Sequence, residues 1–167
     1  MSTMTALKQE ILAYLEGLSG PLHTARITAE YPDALRACPL KKPVVAVGLE
    51  SVELTEGGFG GYYGKDPQSA DLFGRAALVT VRLDILCPTA QGGEGCHRLY
   101  EALCDALLLS RTSFGFCRLR CEDIRHDRDC MANHLRVLGS LRGAVTKGDD
   151  SLAVREFDLR RRESEKE

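Results

Sequence analysis

No stretch of this 167-residue chain approaches the roughly 20 consecutive apolar residues that a membrane-spanning helix requires. No Cys-x-x-Cys pair occurs anywhere, so the most telling zinc-ligand spacing is missing. No stripe of one charge is present either. Lys and Arg total 22 against 24 Asp and Glu, a formal net charge of -2, and the basic residues from Arg118 to Arg128 are interleaved with acids. A general nucleic-acid binder needs a clustered basic surface, so neither a membrane nor sequence-specific nucleic acid is expected as a partner. The N-terminal residues Met1 to Gly17 include Lys8, Glu10 and Glu16, unlike the apolar core of a secretion signal.

What the chain does have is cysteine and glycine. Seven cysteines stand at 38, 87, 96, 104, 117, 121 and 130. An odd count without a secretion signal reads as free thiols in a reducing compartment, many of them small buried hydrophobes. The composition, 44% apolar and 28% charged, is that of an ordinary globular chain long enough to bury its own core. A single domain over residues 1–159 is expected, followed by a charged, frayed tail at 160–167.

The clearest local signal is Ala76 to Leu86. Val79, Val81, Leu83 and Ile85 share one parity, and Thr80, Arg82 and Asp84 the other. That period of two predicts a half-buried strand, which Cys87-Pro88 ends. Leu7, Ile11, Leu15 and Leu18 form one helical stripe near the N-terminus, and a second helix is expected from about Glu94 to Ser110. Val44 to Leu54 predicts another strand, but its apolar parity changes between Leu49 and Val52, so a β-bulge belongs near Glu50-Ser51. Phe116 to Glu122 and Leu135 to Val145 alternate as well, with a polar turn at His126 to Cys130 between them. Gly139 and Gly143 fall on the apolar parity of the latter strand and predict bending or a close backbone approach. Leu152 to Leu159 would add a last edge strand. The order predicts an α+β fold: a mostly antiparallel sheet of about four to five strands, with two helices packed on one face.

Between strands, residues 55–74 hold six glycines interleaved with Phe59, Tyr62, Tyr63 and Phe73. The stretch reads as a long loop, and long loops in compact domains are usually functional or disordered. Its spacing excludes phosphate-binding motifs. A P-loop ending at Gly64-Lys65 needs glycine at Phe59, and a dinucleotide turn from Gly58 needs glycine at Tyr63. A plain flexible loop and an adhesive segment both fit better; in the latter, Gly57, Gly58, Phe59, Gly60, Gly61, Tyr62, Tyr63 and Gly64 combine backbone freedom with aromatic anchoring area.

Catalytic constellations do not emerge. Cys96-His97 are adjacent, and neighbours on a helix do not face each other. Asp127/Asp129 and Asp149/Asp150 sit in turns, where aspartate serves local backbone hydrogen bonds. No cofactor is expected. His126, Cys130 and His134 recur every four residues and, on a helix, could bind zinc with Cys117 or Cys121. The strand-like alternation of 135–145 opposes that helix, and a metal- or redox-responsive Cys/His module stands as the alternative.

From Cys38-Pro-Leu-Lys-Lys-Pro-Val-Val-Ala-Val-Gly-Leu-Glu-Ser-Val-Glu-Leu54 onward, the chain resembles the tail-terminator, or tail-completion, proteins of phages and prophages. The likeness continues through the glycine-aromatic stretch, Val79 to Ile85, Pro88, the Gly92-Gly93 turn and the hairpin reaching Val145. It rests on element order and turn residues. It implies a non-enzymatic α+β subunit of a virion tail, assembled in the bacterial host cytoplasm. Such subunits form a ring, commonly a hexamer, that ends tail-tube growth and joins tail to head; another tail or capsid adaptor of similar fold is the further alternative. The partners implied are further copies of the chain, the tail-tube protein and the head-tail connector.

Overall fold

A computed structural model describes residues 3–30, 39–56, 61–65, 67–69, 71–110, 112 and 114–148. Helix α1 spans Thr3–Glu16 and is followed by a 3-10 turn, Gly20–Thr24. The strands are β1 (Arg26–Ala29), β2 (Val44–Glu56), β3 (Tyr62–Lys65) and β4 (Asp71–Pro88). Helix α2 (Gly92–Cys104) and a π turn (Asp105–Leu109) come next, then β5 (Phe116–Cys121), β6 (Arg125–Asp127) and β7 (Ala132–Gly148). The expected strand at 152–159 and the tail at 160–167 lie outside the described residues.

Among the described residues, seven strands make one sheet in the order β1-β2-β4-β7-β5. β3 pairs with β4 beyond the end of β2, and β6 pairs with β7 beyond the end of β5. The fold is α+β as expected, but the sheet is mixed: β1 runs parallel to β2, from Arg26↔Val44 to Ala29↔Val47. A parallel pair needs a return connection of a dozen or more residues, and the proline-bearing segment from Glu30 to Pro43 supplies the length.

The alternation of the central strand decides which face is the core. Val79, Val81, Leu83 and Ile85 are fully buried and face both helices. Leu7, Ile11 and Leu15 of α1, and Cys96, Leu99 and Leu103 of α2, close over them in one cluster. Val45 and Val47 flank them from β2, and Leu135, Val137 and Leu141 from β7. The bulge falls where parity demanded it. Leu49 opposes Val81 and Ser51 opposes Thr80, leaving Glu50 as the extra residue. A smaller cluster on the opposite face gathers Leu40, Val44, Leu86, Cys130 and Ala132.

The second helix does not run unbroken to Ser110. Its last turn widens, and the Ser110 N–H donates to the Asp105 carbonyl five residues back at 2.8 Å. This widening keeps Ala106 and Leu107 buried. The Tyr14 hydroxyl donates to the Ala106 carbonyl at 2.9 Å, tying α1 to the widened turn.

Gly139 is the close approach expected of a glycine on an apolar parity. A Cβ there would lie 2.6 Å from Phe116 Cε1 and 2.9 Å from Leu119 Cδ2. Gly139→Ala therefore forces the ring aside and is expected to cost about 1–2 kcal/mol by urea unfolding. An unchanged midpoint would show that Phe116 moves freely.

Candidate functional site

The strands are longer than the helices that cover them. β4 has 18 residues, about 60 Å of strand. α1 has 14, about 21 Å of helix. The uncovered remainder is an arm of three strand lines: the end of β2 continued by β3, the start of β4, and the end of β7.

Every residue from Ser51 to Glu56 is exposed. Val52 opposes Val79 and Leu54 opposes Ala77, so both lie on the core face of the sheet. Yet they are 37% and 55% exposed, because no helix among the described residues reaches them. Further out, Tyr62 opposes Phe73 on the same face. Their rings meet edge-on with centroids 5.9 Å apart, and both remain exposed. Val52, Leu54, Tyr62 and Phe73 thus form an apolar strip on this face, interrupted between Leu54 and the two rings by the opposed pair Glu56 and Arg75. The Tyr62 hydroxyl donates to Asp71 Oδ1 at 3.5 Å, and Lys65 lies 4.0 Å from the same oxygen. Solvated aromatics of this kind are enriched at partner contacts.

The segment 55–74, expected as one long loop, is for its described part largely strand. Thr55 and Glu56 end β2, Tyr62–Lys65 is β3, and Asp71 opens β4. Glu56 pairs with Arg75 and Tyr62 with Phe73. The chain therefore advances six residues while its partner moves two. The strand line that β2 leaves at Glu56 is taken up again by β3 at Tyr62, and the hairpin turns later, between Lys65 and Asp71. Ladder hydrogen bonds are made by the backbone, so glycine-rich strands form without any side-chain alternation to announce them.

Of the expected contact residues, Gly57, Gly58, Phe59 and Gly60 lie outside the described residues. Gly61, Tyr62, Tyr63 and Gly64 sit in the arm. Gly61 has φ +80°, and a Cβ on it would be 2.9 Å from an Arg75 guanidinium nitrogen and 3.2 Å from the Gly74 carbonyl. Gly64, at φ +106°, also needs glycine.

Both edges of the arm are open among the described residues. β1 pairs with β2 only as far as Val47, so β2 has no strand beside it from Gly48 on. β5 pairs with β7 only as far as Leu141, so β7 has none from Gly143 on. Unpaired edges offer backbone donors and acceptors to another chain.

The opposite face of the sheet carries a charged network centred on Asp84. Its Oδ2 lies 2.9 Å from Arg82 Nε, and its Oδ1 lies 2.8 Å from His134 Nε2 and 3.4 Å from Arg136 Nε. Arg82 also reaches Glu50 at 3.3 Å. Burial pushes the Asp84 carboxyl up. The hydrogen bond and charge of His134, with the charges of Arg82 and Arg136, outweigh that and hold it below the usual carboxylate range. Beside it, Glu122, Asp123, Arg125, His134 and Arg136 line a cleft of about 70 Å³, well below the roughly 300 Å³ of the smaller ligand sites.

The five Cys and His residues of the metal alternative are not brought together. Cys117 is exposed and donates to the Ser140 carbonyl, Cys121 lies beside Tyr100, and His126 is on β6. Cys130 is buried with Leu40 on the other face, and His134 is bound to Asp84. Residues 132–148 are a strand, so a four-residue spacing spreads the side chains instead of gathering them. Among the described residues, no group of three or more His, Cys, Asp or Glu is placed to hold a metal ion. Asp127 Oδ1 accepts from the backbone N–H groups of Asp129 and Cys130, the local turn role expected of it.

No protein-family model matches this sequence, and no curated protein matches it significantly.

Proposed function

We propose that this protein is a non-enzymatic structural subunit of a phage or prophage tail, which forms a ring that ends tail-tube growth and joins tail to head. The observation that carries the reading is the arm. Its apolar strip and two open edges suit contacts with other chains. The open edges are those of β2 and β7, on opposite sides of β4. Pairing the β7 edge of one copy with the β2 edge of the next is a heterologous contact, and such contacts close into rings when the rotation allows. The tail assignment itself rests on the resemblance in element order. In this reading the glycine segment meets a neighbouring copy or the tube. Growth ends because one face of the ring matches the tube and the other does not. Tube protein and connector are the remaining partners, and the site of action is the virion tail.

Native mass spectrometry over a concentration series tests it, first alone and then with tube protein. A closed ring, a hexamer above all, or length-limited capped tubes is the expected result. A protein that stays monomeric and leaves tube growth unlimited would sink the reading. The double variant Leu54→Asp, Phe73→Asp is expected to stay monomeric and not cap tubes, with stability changed by no more than about 0.5 kcal/mol because both sites are exposed. Rings formed as well by the variant would remove the arm from the interface.

A further inference from the structure

We propose that Cys87 and Cys96 are a disulfide-forming pair, closed by a hydroperoxide, which staples the end of β4 to the beginning of α2. The inference is independent of the tail reading.

The pair is assembled by the chain's reversal after the central strand. Cys87 continues the core-facing parity of Val79, Val81, Leu83 and Ile85. Pro88 ends the strand, a 3-10 turn at Thr89–Gln91 reverses the chain, and α2 returns over the strand end. The helix backbone rests on the Cys87 sulfur: a Cβ on Gly95 would lie 3.5 Å from Cys87 Sγ and 3.0 Å from Gln91 Cβ. The next residue, Cys96, donates its thiol to the Asn133 carbonyl at 3.4 Å. Asn133 is the residue directly across the ladder from Cys87. Both sulfurs therefore stand over one ladder position. They are fully buried and close enough to affect each other's ionisation.

The other thiols are placed differently. Cys104 and Cys121 both lie beside Tyr100. Cys117 is exposed, and Cys130 belongs to the cluster on the far side of the sheet.

The step balances whichever of the two thiols reacts first. That thiol loses its proton, and the thiolate attacks one oxygen of hydrogen peroxide. The O–O bond breaks, the departing hydroxide takes the released proton and leaves as water, and the cysteine becomes a sulfenic acid. The second sulfur then attacks the first. The S–O bond breaks, and the hydroxyl leaves with the second thiol's proton as another water. Two thiols are oxidised by two electrons in all, and one hydrogen peroxide is reduced to two waters.

Access comes from the helix start. Gly92, at φ +62°, Gly93 and Gly95 lie in the first turn, and no side chain caps it. Glycine gives that turn more backbone freedom than any other residue would, so a local opening admits a small uncharged oxidant ahead of a bulky disulfide such as oxidised glutathione.

The test treats the reduced full chain with a small molar excess of hydrogen peroxide at neutral pH. Remaining thiols are then alkylated under denaturing conditions and the peptides mapped by mass spectrometry. The expected product joins the Cys87 and Cys96 peptides with the loss of two hydrogens, and thermal unfolding rises by roughly 5 °C from closure of the short loop. Cys96→Ala and Cys87→Ala each abolish the bridge and the rise. Oxidised glutathione at equal concentration modifies Cys117 and leaves the pair reduced. Recovery of Cys87 and Cys96 as alkylated thiols, or bridged to other cysteines, after peroxide has oxidised Cys117 would overturn the proposal. Because that map is read on the unsubstituted protein, it stands even if a variant fails to fold.

Discussion

Leu83→Ala is expected to lower the unfolding free energy by about 3–4 kcal/mol, while Leu54→Ala changes it by less than about 0.5 kcal/mol. Both leucines lie on the same face of the same sheet, and both read in the sequence as core. Leu83 is fully buried in the middle of β4, between Val47 and Val137 on the neighbouring strands and under the helices. Removing its side chain leaves a cavity that a close-packed layer cannot fill. Leu54, beyond the helices, is 55% exposed, so truncation loses little burial. In a protein whose whole stability is about 5–15 kcal/mol, the first change shifts the urea midpoint strongly and leaves the slope unchanged. Comparable losses at the two sites would mean that the arm is covered in the free chain. The contrast also separates stability from assembly. Leu83→Ala weakens both through the fold, whereas Leu54 matters only where a partner covers it.

Asp84→Asn is expected to cost about 2 kcal/mol at pH 7. The isosteric amide keeps the shape but leaves Arg82, His134 and Arg136 facing a neutral group. Stripping one partner from a fully buried ion pair costs about 3–5 kcal/mol. Here Asp84 is 15% exposed and its three partners 25–41%, so solvent screens part of the loss. The loss depends on pH in a defined direction. The carboxyl titrates below its ordinary value of 3.8 in the folded state. As pH falls, the unfolded chain takes up this proton first. The stabilisation is therefore complete above the ordinary carboxylate range and disappears as pH falls through it toward the lower folded value. Chemical unfolding at pH 7 and at pH 3 should show a difference between native and variant protein that shrinks on acidification. A difference constant across that range would exclude Asp84 ionisation as its source.

Much of the fold was written in local patterns. The parity of Val79 to Ile85 located the central strand and its buried face, and the stripe of Leu7, Ile11 and Leu15 located α1 and its packing side. The parity change between Leu49 and Val52 located the bulge at Glu50. Gly139 on an apolar parity announced the ring of Phe116 above it. Other features had no local signature. The parallel pairing of β1 with β2 depends on where a chain returns. The widened turn at Asp105–Leu109 depends on what Ala106 and Leu107 must reach. The glycine segment concealed strands because their hydrogen bonds come from the backbone.

The candidate site was only partly legible for the same reason. Gly61, Tyr62, Tyr63 and Gly64 were picked out by composition and do lie in the arm. Phe73 stood out as an aromatic of the same stretch, but Val52 and Leu54 did not, since an apolar residue on a strand reads as core. The acids Glu50, Glu53 and Glu56 around Val52 and Leu54 were the available hint of an exposed ribbon. The Asp84 network was likewise foreshadowed only by Arg82, Asp84, His134 and Arg136 on the polar parities of two strands. The pairing of Asp84 with Arg136 across the ladder is a matter of register.

By itself, then, the sequence determined the periodic helices and strands and which side of each is apolar, because period and turn chemistry act over a few neighbouring residues. Only the tertiary structure decided where the apolar face stops being a core. That boundary is set by how far α1 and α2 extend along a longer sheet, a comparison between elements far apart in the chain. It leaves Leu83 sealed and Leu54 in solvent, and it brings Cys87 under Cys96.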